Sequence, residues 1–416
     1  MIQGKSNIKC GLIGEHLSHS FSPQIHRFLA DYSYSLFEMS EDEVGKFIRS
    51  GSFDSVNVTI PYKKTVMPFL DVISDEAMRI GSVNTVTHLP DGRLKGDNTD
   101  YYGFSYLVRK SGIEIKGKKV LILGTGGASL TARTVCADMG AADICFVSRT
   151  GEINYENVYD VCADFEVAVN CTPVGMYPKN GVSPIDLSRF EHCAGVIDMI
   201  YNPAKTQLLL DAEILGIPCI NGLSMLVAQA KRACELFLGE EIDDRDIDLI
   251  TDAIERETKN IVLIGMPGCG KSTVGKILSD LTGRQLIDTD QMIVDAEGCD
   301  IPTIFAERGE EYFRACEHRA VCEAGKQSGM IISTGGGAVT RRENLDPLRQ
   351  NSVIFFIDRP IESLATDGRP LSASGKLLEM YVRRLPLYRQ FRDAEVSNAS
   401  SPEECAAEIL SFFSKK

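Results

Sequence analysis

The stretch Gly265-Met266-Pro267-Gly268-Cys269-Gly270-Lys271-Ser272 directly follows the apolar run 260–264 and precedes a segment that we predict to be helical. Its spacing is that of a Walker A loop, in which backbone N–H groups turn onto the β-phosphate of a nucleotide. The lysine then reaches the β- and γ-phosphates, and the serine hydroxyl binds Mg²⁺. We therefore predict an ATP-binding α/β unit that contacts ATP through Gly268, Cys269, Gly270, Lys271, Ser272 and Thr273.

A second glycine-rich turn, Gly124-Thr125-Gly126-Gly127-Ala128, follows another apolar run, 119–123. It is a loose match to the dinucleotide-binding fingerprint, because Ser129 stands at the last glycine position. A helix over 129–139 is predicted next, with Gly140 just beyond its end. We expect Gly124, Gly126, Gly127 and Ala128 to contact a dinucleotide.

The residues after the next strand indicate which dinucleotide is bound. An NAD-binding protein places Asp or Glu there, where the carboxylate accepts hydrogen bonds from the ribose hydroxyls. This chain has Ser148-Arg149-Thr150, a cation between two hydroxyls. That chemistry suits a 2′-phosphate, so the sequence predicts NADP(H), although an ordinary exposed arginine would give the same pattern.

The composition of the chain argues against nucleic-acid binding and against a membrane protein. The chain has 416 residues, a formal charge of −14 and thirteen scattered cysteines without a C-x-x-C pair. The acidic balance argues against nucleic acid as a partner. No run of eighteen apolar residues or signal-peptide pattern is visible, so we expect no membrane span and a cytoplasmic location with reduced thiols. The sequence leaves the oligomeric state open.

Alternation of strand-like and helix-like segments predicts α/β architecture throughout. We predict a substrate-binding α/β domain over 1–103, completed by helices near 222–257, and a trimmed Rossmann NADP domain over 104–221. A P-loop kinase domain with a parallel sheet follows over 259–416. Within the first domain, strands 83–89 and 93–96 flank Pro90-Asp91-Gly92, which has the chemistry of a hairpin turn.

Candidate substrate residues of the kinase unit follow two predicted strands. Asp288 and Asp290 are two apart at the end of the strand 285–288, where we expect both carboxylates to point the same way. One could serve Mg²⁺, together with Ser272, and the other could accept a proton from a substrate hydroxyl. Gly335-Gly336-Gly337 follows the strand 330–333 and would let backbone approach a ligand.

The first half of the chain has its own candidates. Ser20 and Ser22 lie between a predicted strand and a helix start, where backbone amides favour an anion. Lys63 follows one strand end, and Asp100 follows the hairpin. A lysine paired with a carboxylate could move a proton to a carbonyl oxygen as a hydride arrives, although both could be surface charges.

From Lys259 onward, the chain resembles shikimate kinase. The resemblance rests on the Walker loop, Asp288-x-Asp290, Phe313-Arg314, Ser333-Thr-Gly-Gly-Gly337, Gly368-Arg369-Pro370-Leu371 and Arg384-x-Pro-Leu-Tyr388. It implies that Asp290 is the base, that Arg314 and Arg384 bind the substrate carboxylate near Gly336 and Gly337, and that Arg369 closes on the ATP phosphates. The short stretch between Asp358 and Arg369 carries Glu362 and Thr366 where the family usually has a basic residue against adenine, so adenine recognition stays open.

From about Lys9 to Glu257, the chain resembles shikimate dehydrogenase. The matching motifs are His19-Ser20-x-Ser22-Pro23, Asn57-x-Thr59-x-Pro61-x-Lys63, Val83-Asn84-Thr85, Gly96-Asp-Asn-Thr-Asp100, the glycine turn, Asn170-x-Thr-Pro-x-Gly175-Met176 and Gly222-x-Ser-Met225-Leu-x-x-Gln229. The resemblance implies that Ser20 and Ser22 bind the substrate carboxylate, that Thr59, Asn84 and Gln229 bind ring hydroxyls, and that Lys63 and Asp100 are the catalytic pair. Tyr201 is expected to line the same pocket, and Met199 and Gly222 are expected to contact NADP.

Two departures from the dehydrogenase pattern stand out. His16 replaces the usual proline of the first loop. Only about twenty residues separate Arg149 from Asn170, where the family normally has another helix and strand, so the shape of the adenosine pocket is open.

The two halves together predict a bifunctional enzyme that reduces 3-dehydroshikimate with NADPH and phosphorylates the shikimate formed with MgATP. One alternative is a quinate-type dehydrogenase beside another small-molecule P-loop kinase, although Arg149 does not suit the NAD that quinate use implies. A regulatory protein with inactive sites is a second alternative. Such a protein would be expected to have lost Lys63, Asp100, Lys271 or Asp290, and all four are present.

We predict that Arg149→Ala weakens NADPH binding roughly ten- to hundredfold, because a charge-assisted contact to a phosphate contributes ~1.5–3 kcal/mol. Binding of NADH, which lacks the 2′-phosphate, should change little. Titration of both cofactors against wild type and variant measures the difference. Equal losses for NADPH and NADH would show that Arg149 does not contact the phosphate.

Overall fold

A computed structural model describes residues 8–17, 20–364 and 376–414 of the chain. By the density of its internal contacts, the chain divides into two units. The first consists of Met1–Gly175, Val182–Tyr201 and Leu208–Ala253, and the second of Met176–Gly181, Asn202–Gln207 and Ile254–Lys416. The domain boundaries expected from sequence stay a prediction.

The first sheet of the first unit is mixed. Its strands are β1 (Lys9–Gly14), β2 (Ser33–Glu38), β3 (Ser55–Val58), β4 (Val72–Ile73), β5 (Thr85–His88) and β6 (Leu94–Asp97). They lie in the order β2-β1-β3-β5-β6-β4, with β5 and β6 antiparallel. Gly92 turns between them with φ +85°, as the Pro90-Asp91-Gly92 sequence predicts. The helices are α1 (Ser22–Leu29), α2 (Glu41–Arg49), α3 (Asp75–Ile80) and α4 (Asp100–Ser111).

The second sheet of this unit is fully parallel. Its strands are β7 (Lys119–Leu123), β8 (Asp143–Val147), β9 (Val167–Asn170), β10 (Gly195–Asp198) and β11 (Cys219–Ile220), in the order β11-β10-β9-β7-β8. In β7, Val120 and Ile122 pack into one apolar cluster, and Leu121 and Leu123 pack into another. Both faces are therefore buried, which explains why the strand is a continuous apolar run.

The helices of this second sheet agree with the prediction of a trimmed Rossmann domain. They are α5 (Gly127–Asp138), α6 (Val158–Val161) and α7 (Gln207–Ile214), followed by α8 (Leu223–Leu238) and α9 (Arg245–Thr258). Only the four residues of α6 are helical between β8 and β9, in the short stretch noted from sequence. Helix α5 begins two residues before the predicted start because the glycine turn runs directly into it. Helix α8 packs against α1 and α4 of the mixed-sheet half.

The sheet of the second unit is also fully parallel, in the order β13-β14-β12-β15-β16. Its strands are β12 (Asn260–Ile264), β13 (Leu286–Asp288), β14 (Ile331–Ser333), β15 (Ser352–Asp358) and β16 (Ala394–Ser397). Its helices are α10 (Lys271–Thr282), α11 (Thr289–Glu297), α12 (Ile301–Gly325), α13 (Leu345–Arg349), α14 (Lys376–Phe391) and α15 (Pro402–Phe413). This is a P-loop fold, with the Walker sequence between β12 and α10.

A buried histidine stabilises the packing of α1 in the first unit. The His26 ring lies parallel to Tyr34 with centroids 4.0 Å apart, and its Nδ1 is 2.5 Å from the Tyr32 hydroxyl. Burial lowers the pKa of His26 to about 3 and outweighs a hydrogen bond with Asn57. The native state therefore holds this ring neutral, whereas the unfolded chain protonates it below a pH of about 6.5.

We predict that His26 makes the first unit sensitive to acid. Its contribution to stability is fully present above a pH of about 6.5 and is lost as the pH falls from there towards 3, at about 1.4 kcal/mol per pH unit. His26→Phe should flatten the pH dependence of the free energy of unfolding over this range. Denaturant titrations at several pH values measure it, with the exposed His88→Gln as control. Parallel curves for wild type and His26→Phe would contradict the prediction.

Candidate active sites

A cavity of about 500 Å³ lies in the first unit, between its mixed and its parallel sheet. Most residues predicted to bind the dehydrogenase ligands line this cavity. They are Ser20, Ser22, Thr59, Lys63, Asn84, Asp100, Ala128, Met199, Tyr201, Gly222 and Gln229. Because they come from many separate loops, only the tertiary structure brings them together.

Lys63 and Asp100 form an ion pair in this cavity, with 2.5 Å between Lys63 Nζ and Asp100 Oδ2. Lys63 lies in the turn after β3, and Asp100 is the first residue of α4. The Asp100 backbone N–H donates to Asn98 Oδ1 at 3.1 Å, and Asn98 is buried. The side chains of the pair are 25% and 14% exposed, so both atoms reach the cavity while the surrounding loops hold their positions.

Thr99 orients two amide side chains of the cavity, and the sequence analysis did not single it out. Its backbone N–H donates to Asn84 Oδ1 at 2.7 Å, and its hydroxyl accepts from Asn84 Nδ2 at 3.1 Å. Thr99 Oγ1 also lies 3.4 Å from Gln229 Oε1, to which it can donate. Its position next to Asp100 in the motif Gly96-Asp-Asn-Thr-Asp100 was the sequence feature that could have revealed this role.

Asn57 supports the same network from β3. Tyr34 donates to Asn57 Oδ1 at 2.8 Å, and Asn57 Nδ2 donates to Thr85 Oγ1 at 3.2 Å. Asn57 is quoted in the sequence motif without a role. In the structure it connects the cavity wall to buried polar groups behind it.

The glycine turn after β7 has the geometry that a diphosphate needs. Gly124 has φ +102°, and Gly126 is the N-cap of α5. A Cβ added at Gly126 or Gly127 would meet no atom within 4 Å among the described residues, so open space borders this backbone. Together with the exposed helix N-terminus, that space fits the dinucleotide predicted from sequence.

Five further residues predicted to contact the cofactor lie close to the ends of strands β8, β10 and β11. Ser148, Arg149 and Thr150 follow β8, which pairs with β7, and Arg149 is exposed. Gly222 lies so close to Met199 that an added Cβ would be 2.1 Å from the Met199 carbonyl oxygen. That position therefore requires glycine.

The loop between β12 and α10 turns at three glycines, with φ +152° at Gly265, +83° at Gly268 and +98° at Gly270. Lys271 is buried and donates to the carbonyl oxygens of Gly265 and Met266 at 2.9 and 3.0 Å. Asn398, which follows β16, donates to Cys269 O at 2.7 Å. The loop is therefore held in a phosphate-binding shape, and it fits ATP.

Asp288 and Asp290 do not share a strand, so the expectation that they point the same way from one strand is wrong. Asp288 ends β13 and caps α11, where its Oδ1 accepts from the Asp290 N–H at 3.0 Å. Its other oxygen, Oδ2, accepts from Ser272 Oγ at 3.1 Å, which places two candidate Mg²⁺ ligands together. Asp290 lies in the first turn of α11, because the chain becomes helical as soon as Asp288 caps it.

The Gly335–Gly337 loop brings backbone against three side chains of this site. A Cβ at Gly335 would be 2.5 Å from Asp290 Oδ1, and one at Gly337 would be 2.1 Å from Arg314 Nη1. Arg384 is buried and donates to Gly336 O at 3.0 Å. Asp290, Arg314 and Arg384, predicted from three separate segments, thus converge on one loop.

Glu317 is a buried acidic group that the sequence analysis missed. It is 1% exposed and accepts from Arg314 Nη1 at 2.8 Å. Burial raises the pKa of Glu317, and Arg314 opposes that rise. Burial also disfavours the charge of Arg314, but Glu317 and Glu310 outweigh it and raise the pKa of Arg314. The spacing Arg314-x-x-Glu317 on a helix was the sequence feature from which this ion pair could have been predicted.

Four expectations from sequence concern Arg369, a metal site, the cysteines and a membrane span. Arg369 lies outside the described residues. In the described ranges, no three His, Cys, Asp or Glu side chains are grouped as a ready-made metal site, so a metal here would depend on Ser272, Asp288 and its nucleotide. All thirteen cysteines carry free thiols. Across 8–17, 20–364 and 376–414, no helix is both long and apolar enough to cross a membrane.

Comparison with known proteins identifies both halves. The family described as "Shikimate dehydrogenase substrate binding domain" matches residues 12–86. A shikimate dehydrogenase (NADP(+)) of Clostridium beijerinckii is 38% identical over 269 residues, which are 60% of this chain and 98% of that protein. The chain belongs to the shikimate dehydrogenase family. The family described as "Shikimate kinase" matches residues 267–414, so a shikimate kinase domain follows the dehydrogenase.

Solved structures resemble the shikimate dehydrogenase part. A chorismate mutase/shikimate 5-dehydrogenase fusion protein from Clostridium acetobutylicum is 36% identical, with a TM-score of 0.57, and the match covers 60% of this chain and 98% of that one. A quinate dehydrogenase from Corynebacterium glutamicum in complex with NAD is 26% identical, with a TM-score of 0.54 over 59% of this chain and 99% of that one. The bifunctional assignment made from sequence is thus confirmed, with NADP and ATP as its nucleotides.

We predict that Gly336→Ala weakens MgATP binding. The added Cβ would lie 2.6 Å from Pro267 Cδ and 2.9 Å from Pro267 N, so the phosphate loop must shift. Overpacking of this kind costs about 1–3 kcal/mol. Calorimetric titration with MgATP measures the loss, and NADPH affinity in the same protein should not change. An unchanged MgATP affinity would show that the loop adjusts without cost.

Proposed function

We propose that the first unit reduces 3-dehydroshikimate to shikimate with NADPH and that the second phosphorylates shikimate to shikimate 3-phosphate with MgATP. The observation that carries the first activity is the Lys63–Asp100 ion pair inside a cavity lined by hydroxyl and amide groups. The convergence of Asp290, Arg314 and Arg384 on the Gly335–Gly337 loop supports the second. Reduction creates the hydroxyl group that the kinase then phosphorylates.

In the dehydrogenase, the polar residues of the cavity orient the substrate. Ser20 and Ser22 lie at the start of α1 and bind the substrate carboxylate, where backbone amides favour an anion. Thr59, Asn84 and Gln229 hold ring hydroxyls, and Tyr201 closes the wall. Asn84 is fixed by both its bonds to Thr99, so its amide presents a defined donor and acceptor to the cavity.

NADPH supplies a hydride to the carbonyl carbon when it is bound. Lys63 Nζ donates a proton to the carbonyl oxygen, which becomes the hydroxyl of shikimate. Asp100 keeps Lys63 in place and balances its charge before the transfer, and a proton from solvent restores the lysine afterwards.

The dehydrogenase holds NADPH through the glycine turn and the neighbouring strand ends. Gly124, Gly126, Gly127 and Ala128 bind the diphosphate at the N-terminus of α5. Arg149, flanked by Ser148 and Thr150, contacts the 2′-phosphate. Met199 and Gly222 border the nicotinamide, where the close packing of the two residues sets the wall of the cavity.

In the kinase, Asp290 accepts the proton of the attacking hydroxyl, while Arg314 and Arg384 bind the substrate carboxylate beside Gly336 and Gly337. Fork-shaped guanidinium groups suit a carboxylate. Gly268, Cys269, Gly270, Lys271 and Thr273 hold the ATP phosphates, and the resemblance to shikimate kinase assigns Arg369 to the same phosphates. Ser272 and Asp288 hold Mg²⁺, which neutralises phosphate charge.

A quinate-type dehydrogenase is the alternative that similarity to a quinate dehydrogenase keeps open. The residues after β8 argue against it, because Ser148-Arg149-Thr150 offers no carboxylate to the ribose hydroxyls of NAD. We place the enzyme in the cytoplasm, since its thirteen free thiols suit a reducing compartment.

Single substitutions should separate the two activities. Lys63→Ala should lower NADPH oxidation with 3-dehydroshikimate by roughly 10²–10⁴-fold, the usual contribution of a positioned proton donor. Phosphorylation of added shikimate should continue. Lys271→Ala should have the reverse effect, because it removes a contact to the ATP phosphates.

The measurements are absorbance loss for NADPH and release of ADP. Exposed lysines next in the same segments supply matched controls, Lys64→Ala and Lys276→Ala, and both should retain both activities. Loss of both activities in a folded Lys63→Ala or Lys271→Ala protein would overturn the assignment of two independent sites. Oxidation of quinate with NAD by the wild type, without oxidation of shikimate with NADP, would favour the alternative.

A further inference from the structure

Helices α11 and α12 form a lobe that carries two substrate residues of the kinase, Asp290 and Arg314. The apolar cluster of this lobe is small, and Met292 packs against both it and the core around the parallel sheet. The buried members of the cluster are Ile293, Ile304, Phe313, Cys316 and Ala320. With only five buried members, this cluster leaves room for polar contacts to contribute to the geometry of the lobe.

Glu297, the last residue of α11, makes those contacts. Its Oε2 accepts from Arg308 Nη1 at 2.7 Å and from Tyr312 Oη at 2.8 Å. Its Oε1 accepts from Arg319 Nη2 at 3.0 Å and from Cys316 Sγ at 3.2 Å. One carboxylate, 10% exposed, thus receives four donors from a single neighbouring helix.

The donors lie on both sides of a break in α12. Gly309 has φ +81° and ψ +173°, values outside the helical region, in the middle of this helix. Arg308 precedes the break, whereas Tyr312, Cys316 and Arg319 follow it. Glu297 therefore bridges the break at Gly309, and Arg314 lies on the part of α12 that follows it.

The side-chain ion pairs of Arg314 cannot hold α12 in position relative to α11. They join it to Glu310 and Glu317, which are on α12 and move with it. Behind the lobe, Arg341 donates to the Arg314 carbonyl oxygen at 3.2 Å, which ties α12 to the loop after Gly337. Towards α11, where Asp290 lies, Glu297 joins the two helices through its four hydrogen bonds to α12.

We infer that Glu297 is a positioning residue for the substrate side of the kinase site, because it sets the separation between Asp290 on α11 and Arg314 on α12. The inference rests on the kinase function proposed above. The side-chain hydrogen bonds of Glu297 all go to α12, and none goes to a residue assigned to substrate or nucleotide. Glu297 acts by holding the base and the carboxylate-binding arginine at a spacing that suits one substrate molecule.

The test compares Glu297→Ala and Glu297→Gln with wild type in the full chain. Glu297→Ala should raise the KM for shikimate roughly ten- to hundredfold, the usual effect of misplacing a binding group by about 1 Å. Glu297→Gln keeps the size and one acceptor oxygen, so its KM should lie between those of Glu297→Ala and wild type. The KM for MgATP should not change, because β12 and α10 carry the phosphate loop.

Two internal controls separate positioning from folding. The exposed Asp295→Asn on the same helix should behave as wild type. Reduction of 3-dehydroshikimate by each variant reports the amount of intact protein. Hydrogen exchange should rise in α11 and α12 of Glu297→Ala and stay unchanged in β12.

Three results would overturn the inference about Glu297. An unchanged KM for shikimate in Glu297→Ala would overturn the inference while leaving the kinase function intact. Equal increases in the KM for shikimate and for MgATP would show a general loss of stability, and would also overturn it. Absence of ADP release by the wild type with shikimate would instead overturn the proposed kinase function, and the inference with it.

Discussion

The parallel course of the strands in the two nucleotide-binding sheets is the constraint on which both sites depend. In a parallel sheet all carboxyl ends lie at one edge, and the loops that leave this edge meet there. Residues far apart in the chain therefore become neighbours: Gly124 follows β7 and Arg149 follows β8, while Asp288 ends β13, and Ser272 and Gly335 come after β12 and β14. The mixed sheet of the first unit adds a second wall, which carries Lys63 and Asp100 and encloses the cavity.

Glycine decides how close these loops come to the groups they serve. Around the kinase substrate site, three consecutive glycines touch Asp290, Pro267 and Arg314 at distances that leave no space for a Cβ. In the dehydrogenase, Gly222 fits against the Met199 carbonyl for the same reason. At Gly126 and Gly127 the reason differs, because the space beside them is open, and we propose that the dinucleotide occupies it.

Charge is arranged locally within an acidic protein. The formal charge is −14, yet the kinase half places cations at its expected anion sites, where Lys271 and Arg384 are buried and Arg314 is paired with Glu317. Arg384 is buried, and burial lowers its pKa, whereas the neighbouring carboxylates keep Arg314 charged. Glu317 and Glu310 hold the Arg314 guanidinium in place, so its orientation does not depend on substrate. Binding then costs less ordering of side chains.

The sequence by itself determined the fold class, the two nucleotide loops and most of the residues that meet at each site. These signals are local: the Walker spacing, the glycine turn after an apolar strand and motifs such as Gly96-Asp-Asn-Thr-Asp100 need only the neighbouring residues to be recognised. The antiparallel hairpin around Gly92 followed from turn chemistry for the same reason. Strand and helix ends shifted by one or two residues, as at α5, because hydrogen bonding and not composition sets them.

Only the tertiary structure decided which polar groups support those residues. Asp288 and Asp290 looked alike in sequence, yet Asp288 caps a helix and pairs with Ser272, whereas Asp290 enters that helix and faces Gly335. Thr99, Glu317 and Glu297 gave weak signals or none, because each acts through partners that the chain brings near only when it folds. A side chain that positions another one belongs to no sequence motif. Its role can therefore be recognised only from its contacts in the folded protein.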